Sequence, residues 1–128
     1  MTAARVIIPI VGIVLPYVVR IPGGTAWFRQ YTDSGAGGFL LLEAFNALTW
    51  GGLIALSCLI RRPSLLTIPC GLAFGYLAWA HATLDLSADA QAGIALVLIP
   101  IYSLLPVGLG GLVACVMDRR YAKGDAGG

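Results

Sequence analysis

Four long apolar runs, separated by short polar gaps, make up most of the chain: residues 6–19, 39–60, 65–84 and 92–117. Nearly all of the charged residues fall in the gaps. A helix needs about 20 consecutive, mostly apolar residues to cross the hydrocarbon core of a bilayer. Three of the runs meet that length. The first rises only about 21 Å as a helix, against a core of about 30 Å, and Pro9 and Pro16 interrupt it. The pattern predicts an all-α integral membrane protein, a four-helix transmembrane bundle in a single domain over 1–128. The helices are expected at about 5–20, 39–60, 65–84 and 92–117, with an external loop at 21–38 and a cytoplasmic tail at 118–128.

The short first run has two readings. It spans by local thinning of the bilayer or with help from flanking residues. Alternatively it is the apolar centre of a signal peptide, with Arg5 ahead of it and Gly24-Thr25-Ala26 as a poor cleavage site. Arg20 interrupts the approach to that site. The other three helices keep one orientation in both readings.

Charge placement adds the orientation. Cationic side chains stay preferentially on the cytoplasmic side. A four-helix path puts Arg5, Arg61, Arg62, Arg119, Arg120 and Lys123 on one side, and leaves Arg20, Arg29, Asp33, Asp85 and Asp89 on the other. Both termini are therefore expected in the cytoplasm, and the short loops fit a bacterial inner membrane. Composition agrees: 59% of residues are hydrophobic and 11% charged, against roughly 25% charged in a soluble domain. The net charge of +2 comes from helix-end residues and forms no basic patch suited to nucleic acid. The residues outside the runs are too few for a separate soluble catalytic domain within the 128.

Cys58, Cys70 and Cys115 all lie inside apolar runs and form no CxxC pair, which argues against a thiol–disulfide or structural zinc site. No metal and no cofactor is expected. Within the external loop, Trp27, Phe28 and Tyr31 would share one helical turn at headgroup level, as a surface turn or as a lid.

Two stretches resemble each other. Gly51-Gly52-Leu53-Ile54-Ala55 precedes Arg61-Arg62, and Gly110-Gly111-Leu112-Val113-Ala114 precedes Arg119-Arg120, 59 residues later. This suggests a tandem duplication of a two-helix hairpin, in which Glu43 and Tyr102 hold equivalent positions. Membrane helices associate through close packing of small residues and interhelical hydrogen bonds. Gly51, Gly71, Gly75, Gly110 and Gly111 are the expected packing positions, either inside the bundle or on a dimer face. Pro100 and Pro106 make the fourth helix either hinged, as in many transporters, or statically kinked.

Ionisable groups at membrane depth are costly and face the protein interior or a cavity. Glu43 and His81 each fall about one turn inside the outer ends of their helices. Asp85 follows His81 by four residues, and Asn46 shares a stripe with Glu43. If the stripes face each other, Glu43, Asn46, His81 and Asp85 converge near the outer surface, with Tyr102 behind them. A carboxylate beside histidine suits a proton-linked or cation-binding site; a hydrogen-bonded clamp between helices is the structural alternative. Two functions follow. One is an accessory or assembly subunit, or a homo-oligomeric module, partnered by the bilayer and a larger membrane complex. The other is a small proton-linked or cation transporter or channel, including a pore-forming effector. An enzyme acting on lipid or quinone has thin support.

Overall fold

Long apolar stretches satisfy their backbone polar groups internally as helices. The computed structural model, which describes residues 1–128, is helical with no strand. It has α1 (Thr2–Val18), α2 (Thr25–Thr32), α3 (Gly35–Leu59), α4 (Thr67–Thr83) and α5 (Ala92–Ala126), with 3₁₀ turns at Ile21–Gly23 and Pro63–Leu66. Four segments are long and apolar enough to cross a membrane: Thr2–Gly23, Gly35–Leu59, Pro63–Thr83 and Ala92–Ala126. Both chain termini lie at one end. Met1 packs on the cluster of Ile60, Leu65, Leu66 and Ala114, and Arg62 pairs with Asp125. We call this the termini end and the opposite one the far end.

Several boundaries differ from the hydropathy pattern. The first segment, with its 3₁₀ turn, is 22 residues long, so the expected shortfall disappears. α1 passes through Pro9 and Pro16 without a break. α3 begins at Gly35 rather than near residue 39, because Gly35–Gly38 already wind as helix. Residues 21–38 are therefore mostly helical and form no open loop. α5 continues through Pro100 and Pro106 and on past Met117 to Ala126, so residues 118–126 are helix, not a loose tail. The polar Asp118 on that extension is buried and accepts the backbone N–H groups of Arg61 and Arg62 at 3.1 and 3.2 Å, which fixes the turn between α3 and α4.

Three apolar layers stack along the bundle. Leu77, Ala80 and Ile99 form the one nearest the far end. Ile8, Leu53, Ala73 and Val107 form the middle one, and Ile60, Leu65, Leu66 and Ala114 the one at the termini end. Close approaches fall at glycines. A Cβ on Gly110 would lie 2.6 Å from the Pro69 Cα, and one on Gly12 would lie 2.6 Å from the Trp50 ring. Gly111 abuts Leu56 in the same way. Gly51 meets nothing, and Gly71 and Gly75 are exposed on the outer face of α4, so of the two expected settings they do not take the one inside the bundle. The residues equivalent under the duplication also differ: Glu43 is 8% exposed and Tyr102 is 61% exposed.

Candidate functional site

Each proline inside a helix frees the carbonyl four residues back. Pro16 frees that of Gly12, and the Asn46 Nδ2 donates to it at 2.7 Å. The pairing explains why an amide sits fully buried in α3 and why α1 lies against α3 there. Glu43, one turn before Asn46, points into the same interior. Neither of its carboxylate oxygens has a hydrogen-bond partner. Asn46 and the Tyr17 phenol lie beside it, and the Asn46 Oδ1, Tyr17 Oη and Trp50 Nε1 are also buried without partners. Buried polar atoms are normally paired with protein or ordered water, so these are the interior positions open to a further polar partner.

His81 joins through aromatic neighbours. It is fully buried, and its Nδ1 lies 2.8 Å from the Tyr31 Oη. Tyr31 packs edge-on against both His81 and Tyr17, at centroid distances of 5.7 and 6.2 Å. Burial pushes the Tyr31 phenol well above its usual range, so it keeps its proton. The phenol can donate to Nδ1 or accept from it according to the imidazole tautomer, and in either tautomer Nε2 has no partner. The interior thus has an ordered run of neighbours: His81, Tyr31, Tyr17, Glu43 and Asn46.

The far end of this run is closed by Arg20, which is also fully buried. Its guanidinium donates to the carbonyls of His81 and Leu84 at 2.7 Å each, to the Trp27 carbonyl at 2.9 Å and to the Gln30 Oε1 at 2.8 Å. It lies over the rings of Trp27 and Tyr31, 4.4 and 4.0 Å from their centroids. Trp27 Nε1 donates to the Ala82 carbonyl at 2.9 Å. The last carbonyls of a helix have no partner of their own and form its negative pole. Arg20 and Trp27 bond three carbonyls at the end of α4, those of His81, Ala82 and Leu84, and hold α2 across the end of the bundle.

The structure brings Glu43 and Asn46 together and places His81 beyond two tyrosine rings, not in contact with Glu43. With α3 starting at Gly35, Glu43 lies about two turns inside rather than one. Asp85 lies past the end of α4, where Leu84 is extended, so it does not share a helix face with His81. It accepts from Ser87 and Gln30, which hold its carboxylate below the usual range. Tyr102 points outward and does not back the cluster. No three His, Cys, Asp or Glu side chains group as metal ligands. Arg20, Tyr17 and Tyr31 are the members that sequence reasoning did not assign. The signal for Arg20 was a lone cation between Val19 and Ile21 in otherwise apolar surroundings.

Below Asn46, polarity continues to a hydrogen-bonded Thr49–Ser103 pair, both fully buried. Ser103 also donates to the Pro100 carbonyl at 2.6 Å. The middle apolar layer then intervenes before the next polar contact, Arg5 Nε to Ser57 Oγ at 3.1 Å. Comparison with protein-family models, with curated proteins and with solved structures finds no match.

Proposed function

We propose that this is an integral membrane protein of four spanning helices that binds a proton or small cation at Glu43 and works as a small proton-linked carrier. The unpartnered, buried carboxylate of Glu43 supports this reading most directly. A carboxylate shut away from water is costly unless it is neutral or paired, which is the requirement for a group that takes up and gives back a cation. The partnerless Nε2 of His81 and the Tyr17 hydroxyl supply further exchange positions. The polar interior lies on the far-end side of the middle layer of Ile8, Leu53, Ala73 and Val107, and that dry layer favours a carrier over an open channel. In the proposed orientation, Arg5, Arg61, Arg62, Arg119, Arg120 and Lys123 face the cytoplasm of a plasma membrane together with both termini, and the far end faces out.

The test is proton movement in vesicles containing the purified protein and a trapped pH-sensitive dye, under an imposed gradient. The wild type should move protons faster than protein-free vesicles, and Glu43→Gln should fall to the protein-free rate. Equal rates for wild type and variant would remove Glu43 from the mechanism. An accessory or assembly subunit is the second reading. It is favoured by the Gly71/Gly75 stripe, which lies uncovered on the outside of α4 and suits a close helix contact with another chain.

A further inference from the structure

At the far end, α3 and α5 stand apart. The crevice between them is about 430 Å³ and is lined by Leu41, Leu42, Phe45, Leu96 and Val97 along its walls. Tyr31 closes its inner side, so a single ring separates it from His81. Ligand pockets are typically of this size, mostly apolar, with a few polar groups that fix orientation. The polar groups at this mouth are Gln30, Ser34 and Asp89. Gln30 is tied down at both ends of its amide: its Oε1 accepts from Arg20 and the Leu86 N–H, and its Nε2 donates one N–H to Asp85. The positive charge of Arg20 is held behind it, turned to the carbonyls of α4. Asp89 has one oxygen on the Gln91 N–H at 2.7 Å, and its second oxygen has no partner. Asp89 is the one charged residue lining the crevice, and Asp33 adjoins Ser34 at its edge.

We propose that this crevice binds a hydrophobic organic cation, its apolar body between α3 and α5 and its positive charge at Asp89. Low-dielectric walls strengthen the attraction of an opposite charge at the mouth. An anionic amphiphile of the same shape meets Asp89 as a like charge and is rejected. The site is separate from Glu43 and does not depend on the proton reading.

Equilibrium dialysis of the purified, detergent-solubilised protein tests it with two ions of one shape and opposite charge, tetraphenylphosphonium and tetraphenylborate. The phosphonium should bind saturably at one site and the borate should not. Asp89→Asn should weaken phosphonium binding about tenfold, the size expected from losing one partly screened charge. Gly93→Phe should abolish it by filling the crevice, since a Cβ at Gly93 meets open space and the fold can accept it. Ala90→Phe fills the same crevice from the loop, and circular dichroism checks that both variants are folded. Non-saturable uptake of the phosphonium, equal affinity for the borate, binding unmoved by Asp89→Asn, or binding unmoved by both crevice-filling substitutions overturns the proposal. The readout is binding without flux, so its failure leaves the Glu43 vesicle result standing, and the reverse holds too.

Discussion

A guanidinium taken wholly out of water needs compensation at each donor, and Arg20 receives it from three carbonyls, one amide oxygen and two ring faces. Removing it leaves the His81 and Leu84 carbonyls unpaired and takes away the cation at the negative pole of α4. Arg20→Ala should therefore lower stability by about 3 kcal/mol. Arg20→Lys should recover only part of the loss, because an ammonium has no planar fork to reach four acceptors at once. Unfolding in detergent, followed by circular dichroism, measures both. A loss within about 0.5 kcal/mol for Arg20→Ala would mean the clasp is not structural. Glu43, Asn46 and His81 were legible in the sequence because polar groups inside apolar runs need a reason to be there. Arg20 was not, because an arginine at the end of a run has the same signature as a topology-setting charge. Tyr31 was expected on a surface turn or lid with Trp27 and Phe28, and Tyr17 was given no role. Their roles arise from α2 folding back over the bundle, which no local pattern records.

At the scale of elements, backbone geometry sets how the helices meet. α4 and α5 touch where Gly110 faces the Pro69 backbone, and a backbone cannot yield as a flexible side chain can. Gly110→Ala should destabilise the fold by about 2 kcal/mol through overpacking. Gly51→Ala, with open space at its Cβ, should stay within about 0.5 kcal/mol of the wild type. Thermal unfolding of the two variants side by side checks the contrast, and equal effects would mean that the contact at Pro69 relaxes. The four long helices were readable from the apolar runs alone. Their ends were not, since hydropathy marks where lipid is tolerated and helices end where hydrogen bonding and caps end them. Gly35–Gly38 and the segment from Asp118 to Ala126 are too polar or too small to register as apolar, yet both continue a helix. The prolines misled in the opposite direction. In α1 the carbonyl freed by Pro16 is bonded by Asn46, so the helix goes on where the sequence suggested a break.

For the whole molecule, the interior is polar and under-satisfied toward the far end and dry in the middle, while the outside is apolar on every long helix. Ile10, Leu40, Leu59, Leu72, Leu105 and Leu112 are all exposed. In a bilayer such a surface needs no protein partner, because lipid is as apolar as leucine. Small residues are different: they offer lipid little contact, and they let another helix come close enough for backbones to touch. Gly71 and Gly75 are one turn apart on α4, uncovered, while Gly110, Gly111 and Gly12 are all used inside the bundle. On the accessory-subunit reading, this outer stripe is where a second copy or a larger complex attaches. Native mass spectrometry of the protein released gently from its own membranes should then show an assembly, and Gly71→Leu with Gly75→Leu should release a monomer. Circular dichroism of that variant should match the wild type, since both substitutions point into open space. A wild type that is already monomeric, or an assembly that survives both leucines, would leave the stripe to lipid and remove the main support for an accessory role.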